Sequence, residues 1–294
     1  MNNSDRVRAI VGVSIGVLAG LMPTLLPAVG DQSPPVGTQS PPCGATAVDP
    51  LPVSGTASAT EPSSLAFSVS CGNDPAETFT VRPNGTRLLH LGQGDYPEWS
   101  PSGTQIAVGG ARKDSAAQNL HVMDANGANG SLLTTGPFND YHPSWSPDGT
   151  RIAFASDRAA QYLSEIYVVD VRTRVITRVT TDSCQSGQGT TYCLTASDSP
   201  RWSPDGQQIL YRRFTTLCCG TIDAINVDGT GRRELFGFNG IFTGAAWSPT
   251  GRQIVYGDVL GLHIVNADGS GVQDVPNTRN CPTADSCFLL GDPS

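Results

Sequence analysis

The chain has 294 residues and a formal net charge of −8, with 26 acidic residues against 18 lysines and arginines. Hydrophobic residues make up 38% of it and charged residues 15%, and it contains 33 glycines and 22 prolines. A nucleic-acid-binding surface needs clustered Lys and Arg, whereas Lys113 is the only lysine, so we expect no nucleic-acid partner. The glycine and proline content is typical of short strands joined by tight turns and argues against a helical bundle.

The N-terminal segment indicates the compartment. Arg6 and Arg8 precede an uncharged apolar stretch, residues 9–26, and small residues follow where an export signal is cleaved. We interpret residues 1–30 as a signal peptide, which predicts a periplasmic, cell-surface or secreted protein. The alternative is that residues 9–26 stay uncleaved as a membrane anchor, which would be the only membrane contact that we expect. In both cases the basic residues before the apolar stretch place the rest of the chain outside the cytoplasm.

A second region, residues 31–64, is rich in Pro, Ser, Thr and Gly and contains almost no bulky apolar side chains. Such a segment cannot bury enough apolar surface to order itself, so we interpret it as an extended tether. The remaining residues, 65–294, are assigned to a single domain.

The sequence Trp-Ser-Pro-x-Gly occurs four times in this domain. Its tryptophans are Trp99, Trp145, Trp202 and Trp247. The intervals between them are 46, 57 and 45 residues, which is the repeat length of propeller blades. The Ser, Pro and Gly positions fit a type I turn closed by a left-handed residue, so each copy predicts a β-hairpin. We expect the tryptophans to pack between neighbouring blades.

Three further strands are predicted after each of these turns. An apolar strand such as TRIAF follows, then a strand such as EIYVVD, and then a fourth strand after a turn that usually contains Gly. Four strands per repeat make one blade. The sequence therefore predicts an all-β fold, a β-propeller of four-stranded antiparallel blades, with five recognisable blades and a sixth left open.

The first repeat has no Trp-Ser-Pro element. Residues 64–70 and 78–91 supply a second, third and fourth strand, but the first strand is missing. Because an unpaired strand edge exposes backbone hydrogen-bonding groups, we expect the ring to be closed by another segment. Residues 286–292, at the C-terminus, are the predicted closing strand, and the alternative is residues 51–58 of the tether.

Three phrases, SPDGTRIAF, EIYVVD and NADGSG, resemble the WD-like repeats of TolB-type β-propellers, and the similarity extends from Leu65 to Val275. The resemblance implies a propeller fold and a location outside the cytoplasm. It says little about the ligand, because one fold carries many functions.

Candidate binding residues lie where the repeats differ. In such a blade, the start of the first strand and the end of the second emerge on one face of the ring, which we name the loop face. The candidates on this face are Asp95, Tyr96, Arg112, Asp140, Tyr141, His142, Asp157, Arg158, Asp198, Arg212 and Arg213. Mixed carboxylates and arginines around the mouth of a central tunnel could bind a peptide or a sugar. The alternative is that the charged residues pair only with one another and hold the loops.

The chain contains eight cysteines, and an even number in an exported protein favours disulfides. The candidates are Cys43, Cys71, Cys184, Cys193, Cys218, Cys219, Cys281 and Cys287. Their spacing lacks the Cys-x-x-Cys pairs of a zinc site, so we expect no metal. We expect Cys281 and Cys287 to close a short loop, and Cys43 and Cys71 to join the tether to the first blade. The pairing of the other four is left open.

Catalytic motifs provide little evidence for an enzyme. No zinc-protease motif, phosphate-binding loop or dinucleotide fingerprint is found. We therefore expect an exported, non-catalytic, monomeric propeller without a cofactor, which binds a protein, a peptide or a cell-envelope polysaccharide through the loop face. The alternative is a secreted lyase or hydrolase in which His142, beside Asp140 and Tyr141, acts as acid or base at the tunnel mouth.

Overall fold

The computed structural model describes residues 64–69, 75–82, 84–111, 117–160, 163–181, 185–187, 190–192, 195–215, 219–239, 242–258, 261–276 and 278. Within these ranges the chain forms β-strands and turns. None of the described residues belongs to a helix that is long and apolar enough to cross a membrane. The predicted signal peptide and nearly all of the predicted tether lie outside the described residues.

The described strands form five successive antiparallel sheets and one small hairpin. Blade 1 contains β1 (Leu65–Val69), β2 (Glu77–Val81) and β3 (Leu89–Gln93). Blade 2 contains β4 (Asp95–Trp99), β5 (Gln105–Ala111), β6 (Gln118–Asp124) and β7 (Ser131–Leu132). Blade 3 contains β8 (Asp140–Trp145), β9 (Arg151–Ala160), β10 (Leu163–Asp170) and β11 (Ile176–Arg178). The hairpin contains β12 (Gln185–Gly187) and β13 (Thr190–Tyr192). Blade 4 contains β14 (Thr195–Trp202), β15 (Gln208–Thr215), β16 (Cys219–Asn226) and β17 (Arg233–Asn239). Blade 5 contains β18 (Phe242–Trp247), β19 (Gln253–Asp258), β20 (Gly261–Asn266) and β21 (Gln273–Asp274).

The predicted propeller is confirmed. In every blade the strands pair in chain order, and the first strands of blades 2 to 5 contact one another in succession. Among the described residues, blade 1 has three strands, which correspond to the predicted second, third and fourth. Both segments that we considered for the missing strand, residues 286–292 and residues 51–58, lie outside the described part of the chain.

The Trp-Ser-Pro-x-Gly turn joins the first and second strands, as its sequence predicts. In blade 3 the Gly149 N–H donates to the Ser146 carbonyl over 2.8 Å, and Gly149 takes the left-handed φ of +69°. Asp148 accepts hydrogen bonds from the Ser146 hydroxyl over 2.6 Å and from the Thr150 amide over 3.0 Å. These hydrogen bonds lower the pKa of Asp148 to about 2. The aspartate therefore stabilises the turn. This role explains why an aspartate occurs at position 148, and no bound ligand is needed to explain it.

Repeats are joined to one another through their tryptophans. The Trp145 indole N–H donates to the carbonyl of Glu98 in blade 2 over 3.2 Å, and Trp247 donates to the carbonyl of Arg201 in blade 4 over 3.3 Å. In both cases the acceptor is the residue just before the tryptophan of the preceding blade. Among the described residues, the indole nitrogen of Trp202 is buried without a hydrogen-bond partner, so this bond is made in blades 3 and 5 and not in blade 4.

The core is divided into apolar layers between neighbouring sheets. Blades 2 and 3 share a buried cluster that includes Leu120, Trp145 and Phe154. Equivalent clusters around Trp202 and Trp247 lie between blades 3 and 4 and between blades 4 and 5. Burial of one such side chain stabilises the fold by about 1.5–3 kcal/mol, so each blade depends on contact with its neighbours.

The turn between the third and fourth strands also contacts the preceding blade. Gly127, Gly229 and Gly269 occupy this turn in blades 2, 4 and 5, with φ angles of +83°, +85° and +88°. A methyl group on Gly269 would lie 2.3 Å from the carbonyl oxygen of Leu235 in blade 4. Glycine is therefore required there both for its φ angle and for the close approach of another blade.

We predict that Gly269→Ala lowers the free energy of unfolding by about 3 kcal/mol, because an alanine is strained at this φ and overlaps the blade 4 backbone. The matched control is Gly103→Ala, since Gly103 has φ +68° but nothing within 4 Å of an added methyl group. That variant should lose only about 1 kcal/mol. Urea unfolding followed by tryptophan fluorescence measures both, and equal losses would contradict the packing argument.

Candidate binding site at the loop face

In blades 2, 3 and 4 the first strand carries a bulge three residues before its tryptophan, where the pairing register with the second strand shifts, while in blade 5 the shift lies between Phe242 and Gly244. The residues three places before the tryptophans are Tyr96, His142, Ser199 and Gly244, with φ angles of +52°, +51°, +52° and +148°. Non-glycine residues are uncommon at positive φ, and their repetition in three successive blades shows that the bulge belongs to the scaffold. A bulge redirects a side chain, and these side chains are redirected toward one another.

The three non-glycine residues meet at the loop face. The rings of Tyr96 and His142 are in edge-to-face contact with centroids 3.9 Å apart, and the Tyr141 ring lies 5.0 Å from that of His142. The Ser199 hydroxyl lies 3.3 Å from Nδ1 of His142. We name Tyr96, Tyr141, His142 and Ser199 the mouth cluster. It joins blades 2, 3 and 4.

The imidazole of His142 is held in its neutral form. Burial lowers its pKa from 6.5 to about 4, and the charges of Arg201 and Arg212 add to this effect while those of Asp198 and Asp95 oppose it. A group with this pKa is a poor proton acceptor near pH 7, because general-base catalysis is most effective when the pKa lies near the working pH. The neutral imidazole instead offers a hydrogen-bonding group and a ring edge.

The two tyrosines of the mouth cluster differ in exposure. Tyr96 is 38% exposed, so a ligand can reach its ring. Tyr141 is half-buried, and burial raises its pKa to about 12. Burial, together with the charges of Asp95 and Asp198, also raises the pKa of Tyr96. Both phenols therefore stay protonated at neutral pH.

The buried carboxylates around the mouth cluster are paired. Nη2 of Arg158 donates to both oxygens of the fully buried Asp140 over 2.8 Å. Nε and Nη2 of Arg212 donate to the two oxygens of Asp198 over 2.7 Å and 2.5 Å. The charge and hydrogen bonds of Asp198 raise the pKa of Arg212 although burial opposes this. These pairs link the first strand of a blade to its second.

Two other predicted carboxylates have neutral partners. Asp157 accepts hydrogen bonds from the backbone and side-chain nitrogens of Asn139, over 2.9 Å and 2.6 Å. Asp95 accepts a 2.5 Å hydrogen bond from the Ser68 hydroxyl of blade 1 and a 2.8 Å bond from the Tyr96 amide. Asp95 thus links blade 1 to the mouth cluster.

The structure brings together most of the predicted binding residues that it describes. Arg213 follows Arg212 on β15, where its backbone pairs with Ser197 and Thr221. Arg112 lies outside the described residues, and so do all the predicted disulfide cysteines except the backbone of Cys219 in β16. Sequence reasoning missed Ser199, which belongs to the mouth cluster. The dipeptides Tyr-Pro, His-Pro and Ser-Pro, each ending two residues before a tryptophan, mark its three positive-φ positions.

Among the residues that the structure describes, no group of three or more His, Cys, Asp or Glu side chains is arranged to hold a metal ion. The polar groups of the loop face bond instead to one another and to the backbone.

Comparison with known proteins identifies the fold. The family model described as the TolB beta propeller domain matches residues 90–197. The protein is a TolB-like β-propeller. None of the curated proteins matches this chain.

Several solved structures resemble this TolB-like propeller. A protein assigned as TolB from Agrobacterium tumefaciens has 18% sequence identity and a TM-score of 0.57, with 71% of this chain and 75% of that chain covered. The propeller of a nidogen/laminin complex has 11% identity and a TM-score of 0.54, over 74% of this chain and 78% of that one. A puromycin hydrolase has 13% identity and a TM-score of 0.50, over 75% of this chain but only 36% of the hydrolase. Identities this low show a shared fold.

The low pKa of His142 predicts a specific loss of stability in acid. Between pH 6.5 and 4 the unfolded chain binds a proton at this residue that the folded chain does not, so the free energy of unfolding falls as the pH falls through this window. The loss should be absent from His142→Asn, because asparagine tolerates positive φ and does not titrate. Urea unfolding at pH 7 and pH 4.5 compares the two proteins, and an NMR titration midpoint for the His142 ring near 6.5 would contradict the assignment.

We predict that Arg158→Gln destabilises the fold by about 3 kcal/mol or more, since it leaves the fully buried Asp140 carboxylate without its charged partner. The double variant Asp140→Asn/Arg158→Gln removes both charges and should regain part of that loss. Chemical denaturation of the two variants and the parent measures this difference. A double variant less stable than Arg158→Gln would show that the pair is not held by charge.

Proposed function

We propose that this TolB-like propeller is an exported, non-catalytic binding protein whose ligand contacts the loop face at the mouth cluster. The ligand class is a protein, a peptide or a cell-envelope polysaccharide. The observation that carries the proposal is the convergence of positive-φ residues from three successive blades on one exposed aromatic surface. The predicted signal peptide supports export.

The chemistry of the mouth cluster suits recognition. Tyrosine rings combine a large apolar face with a polar hydroxyl, and they are enriched in the central contacts of protein interfaces. Tyr96 offers such a ring to solvent, beside the neutral imidazole of His142 and the hydroxyl of Ser199. These groups can pack against a ligand and hydrogen-bond to it without the cost of desolvating a free charge.

The surroundings of the cluster support binding over catalysis. Nδ1 of His142 faces a serine hydroxyl, whereas a catalytic histidine is commonly oriented by a carboxylate. The neighbouring Asp140 and Asp198 carboxylates are occupied by arginines. An acid and a base with separated, suitable pKa values are therefore not assembled by these residues.

The bulges also favour tight binding. Each residue of the cluster lies on a paired strand, and Tyr96, Tyr141 and Ser199 each contact His142, so little conformational freedom is lost when a ligand binds. The nidogen propeller was solved in a complex with laminin, and it shares this fold at 11% identity. This similarity indicates that the fold is compatible with protein binding. The partner of this chain has to be identified by experiment.

We predict that Tyr96→Ala weakens ligand binding at least tenfold, since truncating a central aromatic contact costs about 1.4 kcal/mol or more. The ligand is captured from cell-envelope extract with the mature chain, and its affinity for purified variants is measured by calorimetry. The matched control is Val175→Ala, because Val175 is also exposed but lies in the blade 3 turn on the opposite face. Equal affinities of the two variants would exclude the mouth cluster as the binding site.

The same preparations test the alternative. The purified wild-type chain is incubated with cell-envelope polysaccharides and peptides, and product formation is compared with His142→Asn. Turnover that disappears in this variant while its circular dichroism spectrum is unchanged would establish an enzyme and overturn the proposal.

A further inference from the structure

We propose that His263 in blade 5 is a proton-dependent clamp, which holds the outermost strand β21 when its ring is doubly protonated and releases it when one proton is lost. The ligand-binding role proposed above is not needed for this inference. It rests on the two hydrogen bonds of the ring, on the burial of the ring, and on the weak attachment of β21.

The ring of His263 lies between two carboxylates on different strands. Its Nε2 is 3.0 Å from Oδ1 of Asp258, the last residue of β19, and its Nδ1 is 3.0 Å from Oδ1 of Asp274, the last residue of β21. An ionised carboxylate only accepts hydrogen bonds, and a neutral imidazole carries a single N–H. Only the imidazolium can therefore donate to both carboxylates. It then joins the two strands that flank β20.

The ring has little access to water as a substitute partner. His263 is 7% exposed, and its ring stacks on that of Tyr256 with centroids 4.8 Å apart. Tyr256 in turn stacks on Phe236 of blade 4, with centroids 4.3 Å apart. Turning the imidazole away from either carboxylate would disturb this stack between two blades. Loss of one ring proton therefore leaves a carboxylate facing a nitrogen lone pair, which is a repulsive contact.

The charged surroundings favour the doubly protonated ring. Among the described residues of blade 5, the titratable groups that face it are Tyr256, Asp258 and Asp274. Burial, followed by the charges of the two aspartates, raises the pKa of Tyr256, so the phenol stays neutral beside two carboxylates. From blade 4, Arg233 reaches blade 5 at the carbonyl of Ala267, beyond the other end of β20. Negative charges close to an imidazole stabilise its charged form.

The strand that this clamp holds is weakly attached. β21 has two residues, both of them exposed, and pairs with His263 and Ile264 of β20. In blades 2 and 3 the residue after the fourth strand is a buried Leu133 or Val179, 5% and 4% exposed. Val275 at the same place in blade 5 is only half-buried. Apolar burial therefore holds this outer strand less firmly than its equivalents, so the side-chain clamp has a larger effect.

The chemistry of the clamp belongs to this sequence, while its position belongs to the blade. His263 pairs with the last residue of the fourth strand, Asp274, and in blade 3 the same two places hold Tyr167 and Arg178. A blade therefore does not require a histidine and an aspartate there. Histidine adds a response to pH, because its charge ordinarily changes between pH 5 and 8. Since the clamp forms only with the added proton, attachment of β21 weakens as the pH rises.

The test follows hydrogen exchange of the Val275 amide in the full-length chain. This amide donates to the Leu262 carbonyl over 2.9 Å, so it reports whether β21 is attached. Its protection factor should fall by about tenfold or more between pH 6 and pH 8, the loss expected for one hydrogen bond to a charged group. The matched control in the same molecule is the Leu133 amide of blade 2, which donates to the Leu120 carbonyl over 2.8 Å and should keep its protection factor. Equal changes at the two amides, or no change at Val275, overturn the proposal.

The variant Asp274→Asn distinguishes the clamp from a general loss of stability at higher pH. An asparagine amide can donate to the lone pair of a neutral His263 ring, so the fall in protection at Val275 should disappear. The Asp274 side chain is 48% exposed, and the substitution therefore leaves the core unchanged. A fall as large as that of the parent would show that the aspartate does not act through the histidine, and it would exclude the clamp.

Nitrogen NMR of the His263 ring in the unmodified chain gives a measurement that does not depend on a variant. Both ring nitrogens should show imidazolium shifts at pH 6, and one should lose its proton over the pH range in which the Val275 amide loses protection. A ring that is already neutral at pH 6 contradicts the proposal. A ring that keeps both protons while the Val275 amide becomes unprotected contradicts it as well.

Discussion

Face-to-face packing of neighbouring sheets is the interaction on which the rest of this structure depends. No blade has a core of its own: Trp145 and Trp247 are buried only because another sheet lies against them, and their indole nitrogens bond to that sheet. Turn glycines such as Gly269 allow the contact to be close. The stability of each blade therefore depends on the blades next to it, and a blade that lacks a neighbour on one side is less stable.

The same packing creates the candidate site. Since the first strands lie side by side, a bulge repeated in each of them brings equivalent positions together at one end of the ring. The repeated backbone fixes where these side chains lie, and the differences between the repeats decide which chemical groups lie there. Tyr96, His142 and Ser199 thus occupy equivalent positions in successive blades. A binding surface can thus change without altering the packing that supports it.

The charged residues of the loop face act mainly within the protein. The pairs Arg158–Asp140 and Arg212–Asp198 satisfy carboxylates that would otherwise be costly to bury. Burial keeps the imidazole of His142 neutral, since it lowers the pKa of the ring, whereas within the second pair the charge of Asp198 raises that pKa and the charge of Arg212 lowers it. Within the described residues these pairs therefore link the first and second strands of a blade, and the mouth cluster lies beside them.

The sequence by itself determined the fold class, the blades and the turns, because Trp-Ser-Pro-x-Gly specifies local backbone angles and its spacing specifies one sheet per repeat. It also indicated the loop face, since alternating strand direction fixes which ends emerge together. Only the tertiary structure decided which residues meet there. Ser199 joined the cluster, and Asp140 turned to Arg158, because bulges and burial redirect side chains through contacts between blades, and those contacts join residues that are far apart in the sequence.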